Sequence, residues 1–244
     1  MRTALRLTGA DALPLLHRLT SNALADLAPG EWRATLFCDF RGRLLHRALV
    51  AHAADGALWL LRDDADGAEL AAFVDRFVFR EDVRIEDRSG APLPDLGLAT
   101  PLPPTLDEPA RIAAGLPRHG HEIAEAFTAY EVALGSEVHL SKGCYTGQEA
   151  LQRLVTYDSA RRRLARVRGT GAVPAVPAEL TSAGEPAGVL TSAIADGPDR
   201  WVGLAPVRRE LLDGCAALAL GDGRTAEIAH VFFAGQPQGR DAKL

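Results

Sequence analysis

The last third of the chain constrains the fold most. From about residue 160 onward the apolar residues come in short runs: Leu164 to Val167, Ala187 to Leu190, Trp201 to Leu204, Ala216 to Leu220 and Ala226 to Phe233. Glycines and prolines break these runs apart, which is the pattern of small-barrel strands. We therefore expect a boundary near residue 160, with a C-terminal β-barrel domain over 161–244 after a first domain over 1–160.

The first domain has a different grammar. Arg2 to Leu7 reads as a strand, and Thr8-Gly9-Ala10-Asp11 resembles a capping-box start for a helix carrying Leu13, Leu15, Leu16 and Leu19. Glu31 to Phe40 and Leu44 to His52 flank a turn at Phe40-Arg41-Gly42, and Asp55-Gly56 marks a second hairpin before Ala57 to Leu61. Asp64 opens an amphipathic pattern with Leu70, Phe73, Val74 and Phe77 on one face, and Asp82 to Glu86 reads as a further strand. This order predicts an α+β domain built of split β-α-β units. Five prolines between Asp87 and Pro109 make 88–107 a connector or shortened subdomain. Arg111 to Pro117 reads as a short helix ended by glycine and proline, and Ala124 to Leu134 as another helical turn.

The segment Lys142-Gly143-Cys144-Tyr145-Thr146-Gly147-Gln148-Glu149 concentrates glycines, a thiol, an amine, a ring and a carboxylate just before a helical pattern. Thr146 and Glu149 have capping-box spacing, which places the helix start at about Gly147 and Cys144 in the loop before it. Glu149 and Arg153 are spaced as an i,i+4 pair. A neighbouring lysine and the helix dipole both favour the thiolate, so Cys144 is a candidate reactive thiol.

Composition excludes several classes. Cys38, Cys144 and Cys215 are odd in number and form no C-x-x-C pair, which argues against a disulfide framework and a zinc site. Cys38 and Cys215 stand in apolar surroundings and are expected in the core. No apolar run suits a signal peptide or a membrane span, so the cytoplasm and no membrane association are expected. A net charge of -5 argues against direct nucleic-acid binding, and Arg161-Arg162-Arg163 with Arg166 and Arg168 reads as a solvated strand edge. His119-Gly120-His121 lacks a third ligand in fixed relation, so no stably bound metal is expected.

Lys142-Gly143-Cys144-Tyr145-x-Gly147-Gln148-Glu149 with Arg153 closely resembles the signature of the YgfZ family, folate-binding proteins linked to iron-sulfur cluster assembly and repair. The resemblance extends to the aminomethyltransferase (glycine cleavage T protein) superfamily. Arg111 to Pro117 with Gly120-His121-Glu122-Ile123 is similar to its L-R-L-E-A-G-L-P-x-x-G-H-D segment, and Thr128 to Glu131 to its T-P-x-E. Thr20-Ser21-Asn22 resembles its T-x-D segment, while Gly184 to Ser192 and Gly203 to Arg208 resemble its barrel. The resemblance implies an aminomethyltransferase folate-binding-like N-terminal domain and tetrahydrofolate or a related folate as cofactor. It implies Asn22, His46, Arg111, Glu131 and Tyr145 as folate-binding candidates.

The departures matter as much. The superfamily's paired aspartate is replaced by His46 and Arg47, no T-G-E-x-G-F-E segment is visible, and Arg2 to Leu7 lacks the tryptophan of some YgfZ relatives. What the resemblance implies is an accessory protein for iron-sulfur cluster assembly or repair, supporting iron-sulfur clients that include tRNA-modifying enzymes. Cys144 would be its key thiol and a candidate transient cluster ligand, and it would not be an active aminomethyltransferase. The alternative is a folate-dependent one-carbon transferase.

Overall fold

Strand alternation and the placing of tight turns decide the layout of the computed structural model, which describes residues 3–212 and 217–239. Arg2, Cys215 and Ala216, which entered the expectations above, lie outside the described residues. The chain divides into two compact units. One comprises the chain through Thr105, Glu137–Gln152 and a segment from Pro237; the other comprises Leu106–Ser136 and Arg153–Gln236.

In the first unit, β1 (Thr3–Thr8), β2 (Trp32–Cys38), β3 (Leu44–His52), β4 (Leu58–Arg62) and β5 (Arg84–Asp87) form one antiparallel sheet in the order β2-β3-β4-β1-β5. Period-two alternation sends Leu5, Leu7, Val50, Leu58 and Leu60 to one face. There they pack with Leu15, Leu16 and Leu19 of α1 (Ala12–Leu19) and Leu70, Phe73 and Val74 of α2 (Gly67–Asp75). The opposite face, with Ala4, Ala51, Trp59 and Leu61, is covered by Leu93, Leu96, Leu98 and Leu102 of the connector. The prolines keep this stretch extended, so it serves as an apolar cover without secondary structure of its own.

Two helix starts differ from expectation. The Asp11 side chain does not cap α1; its carboxylate accepts from the Asp82 amide at 2.8 Å, tying the helix start to the loop before β5. The cap of α2 is Asp66, accepting from the Ala68 amide at 3.0 Å, in place of Asp64.

In the second unit, α3 (Glu108–Ala114) is capped by Asp107 and ends at Gly115 in the left-handed region. Residues 124–134 hold turns, with no helix, because Glu131 turns its carboxylate back to the Thr128 amide and hydroxyl. After α4 (Gln148–Thr156), which the division between units crosses, come β6 (Arg162–Thr170), β7 (Ala178–Ser182), β8 (Glu185–Leu190), β9 (Ser192–Ala195), β10 (Arg200–Arg208), β11 (Leu218–Leu220) and β12 (Thr225–Val231). The order β6-β12-β11-β7-β8-β10 closes through the β6–β10 pairing into a six-stranded barrel, with β9 added on β10. Trp201, Leu180, Leu190, Val207 and Leu218 fill it. No described helix is long and apolar enough to cross a membrane.

The β2–β3 turn and the start of α4 meet backbone to backbone. A Cβ on Gly147 (φ +86) would lie 2.5 Å from the Asp39 carbonyl oxygen, and one on Gly42 (φ +73) 3.1 Å from the Leu151 side chain. Gly147→Ala is therefore expected to cost about 2 kcal/mol, and Gly143→Ala, where a Cβ meets nothing within 4 Å, only about 1 kcal/mol. Denaturant titration of both variants checks this; equal losses would contradict the close approach.

Candidate functional site: the motif loop and the buried arginines beside it

The loop that carries Cys144 is closed on itself and pinned to α1. Gln148 Nε2 donates to the Leu140 carbonyl at 3.1 Å, and the Gln148 amide donates to Tyr145 O at 3.2 Å. His17, in the last turn of α1, contacts the Lys142 carbonyl through Nε2 at 3.1 Å, while Lys142 Nζ donates to the His17 carbonyl. His17 Nδ1 accepts from the Leu24 and Ala25 amides at 3.0 and 3.2 Å. The imidazole is therefore neutral with its proton on Nε2. A proton on Nδ1 would face two N–H groups, and burial and the Lys142 charge both hold the His17 pKa below its usual value.

Lys142 is half-buried, with Nζ 4.9 Å from the centre of the Tyr145 ring, a cation–π contact. Burial pulls its pKa down to about 8. Tyr145 is buried beneath it, whereas Cys144 and Gly143 are exposed. Gly143 adopts φ +108, so it supplies a backbone bend that turns Cys144 outward from an anchored base. Cys38 is the opposite case: full burial, with Asp39 adding to it, pushes its thiol up to about 12. It is a core residue, as expected.

His46 and Arg47, adjacent on β3, point to opposite faces of the strand. His46 is buried between Phe37 and Phe73, with ring centres at 6.2 and 5.1 Å. Its Nδ1 lies 3.3 Å from Arg62 Nη1. Arg47 binds Glu137 through Nε at 2.9 Å to both carboxylate oxygens and through Nη2 at 2.7 Å. Burial disfavours this cation, but Glu137 more than offsets the penalty and raises the Arg47 pKa.

Sequence reasoning missed Arg62, Glu137 and His17, since no local pattern marks a partner 16, 90 or 125 residues away. Arg62 is buried, and burial lowers its pKa. Its Nη2 donates to the Asp66 carbonyl at 2.6 Å, while Nε is buried with no partner among the described residues. An unused buried donor costs about 1–3 kcal/mol, which makes this spot beside His46 ready for an acceptor.

The remaining candidates are engaged elsewhere. Thr20, Ser21 and Asn22 bond backbone groups: Thr20 the Leu16 carbonyl, Ser21 the Glu137 carbonyl and the Leu36 amide, Asn22 the Ala34 carbonyl and the Ala23 amide. Arg111 and Glu131 belong to the second unit. Arg111 donates to Glu108, Leu116 O, the buried Glu122 and Ser192, and so locks α3 onto the barrel. Glu131 lies 4.0 Å from Arg162. Glu149 and Arg153 are exposed on α4.

With this geometry in hand, the fold places the chain among aminomethyltransferase-like structures. It superposes on the glycine cleavage system aminomethyltransferase T of Bartonella henselae with a TM-score of 0.73 and 15% identity, covering 98% of this chain and 85% of that one. The barrel then narrows the likeness, because residues 161–230 match the family model described as CAF17, C-terminal beta-barrel domain. A putative chloroplastic transferase of Arabidopsis thaliana is 36% identical over 95 residues, covering 38% of this chain. A probable aminomethyltransferase of Natronomonas pharaonis is 38% identical over 78 residues, covering 30% of this chain. The matched stretch spans 22% of the length of each of these two relatives.

Two measurements check the site. Glu137→Gln should destabilise the protein by about 2 kcal/mol by leaving Arg47 without its counter-charge, and Arg47→Met with Glu137→Met should recover most of that loss. Competitive amine labelling of the chain's two lysines across pH should give Lys142 an apparent pKa of about 8. Its folded pKa lies below the ordinary 10.5, so the burial penalty is present below pH 8 and is relieved as pH rises from 8 to 10.5. A labelling pKa near 10.5 would contradict the buried ammonium.

Proposed function

We propose that this chain is a folate-binding accessory protein that presents Cys144 to an iron-sulfur cluster or to a protein carrying one. The observation that carries the reading is the pairing of an exposed thiol on an anchored loop with an acid–base position that no longer holds acids. His46 is packed against two phenylalanines and Arg47 is held by Glu137, so neither takes the part of a paired carboxylate. Arginine stays protonated and cannot relay protons. A chain built this way keeps a ligand-binding fold while giving up the groups of an aminomethyl-transfer site.

A folate fits one feature of the first unit. The Nε of Arg62, beside His46 and without a partner among the described residues, offers a buried donor to an acceptor-rich pterin, and Lys142 over the Tyr145 ring offers a cation for a carboxylate tail. Bound folate would supply a one-carbon carrier or a redox-active pterin; Arg62 would orient it and Lys142 would neutralise its tail. The clients would include radical enzymes that modify tRNA, as the family resemblance implies, in a cytoplasmic setting.

The rival reading, a folate-dependent one-carbon transferase, draws on the fold and on the relatives named transferases. One experiment separates them. A Cys144→Ala protein should fail to restore iron-sulfur enzyme activity in a deletion strain, and tetrahydrofolate should slow alkylation of Cys144 in the purified wild type. Arg62→Met should weaken folate binding by about tenfold, the loss of one hydrogen bond to a buried charged donor. Full restoration by Cys144→Ala, with turnover on an aminomethyl donor that His46→Ala abolishes, would favour the transferase.

A further inference from the structure

Arg161 to Arg163 read as a solvated edge in the sequence because a single strand sends alternate residues to opposite sides. Strand pairing changes that. The β6–β10 register sets Arg208 opposite Arg162, and the Arg209 amide donates to the Arg161 carbonyl at 3.0 Å, so the two strand ends bring four arginines together. Arg161, Arg162, Arg208 and Arg209 line a groove of about 730 Å³, in which the carboxylates among the described lining residues are Asp158 and Glu210.

Those two acids are already committed. Asp158, a non-glycine residue at φ +44, accepts from Arg209 through both carboxylate oxygens at 2.7 and 2.9 Å and through its carbonyl at 2.9 Å. Arg163 lies 3.8 Å from the same carboxylate, so one acid serves two guanidiniums. Burial first, and then the nearby Arg209 charge, lower the Arg163 pKa. Glu210 pairs with Arg208 in the open, where such pairs are worth little. Arg162 is 4.0 Å from Glu131 and lies over Phe127, and Arg161 is exposed with no side-chain partner among the described residues.

We propose that this groove docks an acidic peptide segment of a partner protein, whose side-chain carboxylates seat on Arg161, Arg162 and Arg208. Guanidinium forks match carboxylates two bonds at a time, as Arg209 and Asp158 do within the groove itself. In an extended segment, alternate side chains lie about 7 Å apart on one face, so successive carboxylates of one peptide can enter the same groove. Nucleic acid fits less well. Among the described residues no aromatic side chain lines the groove for bases to stack on, and the chain as a whole carries a charge of -5. This docking site is independent of whether folate binds to the first unit.

Fluorescence anisotropy of a labelled peptide alternating Glu and Ser tests it on the full chain, beside its Gln counterpart and a single-stranded RNA of matched charge. The Glu peptide should bind at low salt, weaken with added salt, and lose about tenfold in affinity in an Arg161→Glu, Arg208→Glu variant whose melting temperature is unchanged. The Gln peptide should not bind. If the double variant fails to fold, Arg161→Ser, at an exposed position, should still weaken the Glu peptide by about threefold. Absence of Glu-peptide binding to the wild type, binding insensitive to these substitutions, or tighter binding of the RNA would overturn the proposal.

Discussion

The ion pair between Arg47 and Glu137 is the contact on which the first unit depends. It joins β3 to a segment that enters 90 residues later and leads into the motif loop. Closing so long a loop costs chain entropy that local structure cannot return, so the join must be strong and directional. A two-pronged guanidinium–carboxylate bond meets that need. Ser21 reinforces it at the same place, accepting the Leu36 amide while its hydroxyl reaches the Glu137 carbonyl, and its own carbonyl takes the His139 amide.

From this join the loop is built outward by contacts that leave little freedom except at its tip. Gly147 lets the backbone settle against the β2–β3 turn, Gln148 closes the loop, and Lys142 and His17 hold one another by two bonds. Gly143 and Cys144 stand exposed, with Thr146 beyond the buried Tyr145. An exposed thiol on a fixed base suits a group that must meet a partner; a buried one such as Cys38, pushed up to about 12, suits packing alone. On β3 two adjacent residues are divided the same way: His46 packs against aromatic rings and Arg47 anchors the join.

Much of the architecture was legible because it rests on period and punctuation. The β3 alternation, the Asp55-Gly56 hairpin and the Gly115 helix stop are local events, and each stands where the residue pattern sets it. Strand β7 was not visible, since Leu180 is its only buried residue, and neither was β9, which is four residues long. The connector gave no period because its leucines cover a sheet face as an extended chain. Asp11 was misread because a side-chain carboxylate has several amides within reach, and the fold offered it Asp82.

The sequence by itself determined the two kinds of domain grammar, the motif loop before α4 and the adjacent His46 and Arg47, because strand and helix periods, glycine turns and residue identity are written in contiguous residues. Tertiary structure decided what those residues do: that Arg47 is an anchor, that the Arg62 Nε is buried with no partner among the described residues, and that arginines from two strands share one groove. The physical reason is that ion pairing, burial and strand register depend on groups tens of residues apart. Their energies are set by the distance and dielectric that the fold creates between them.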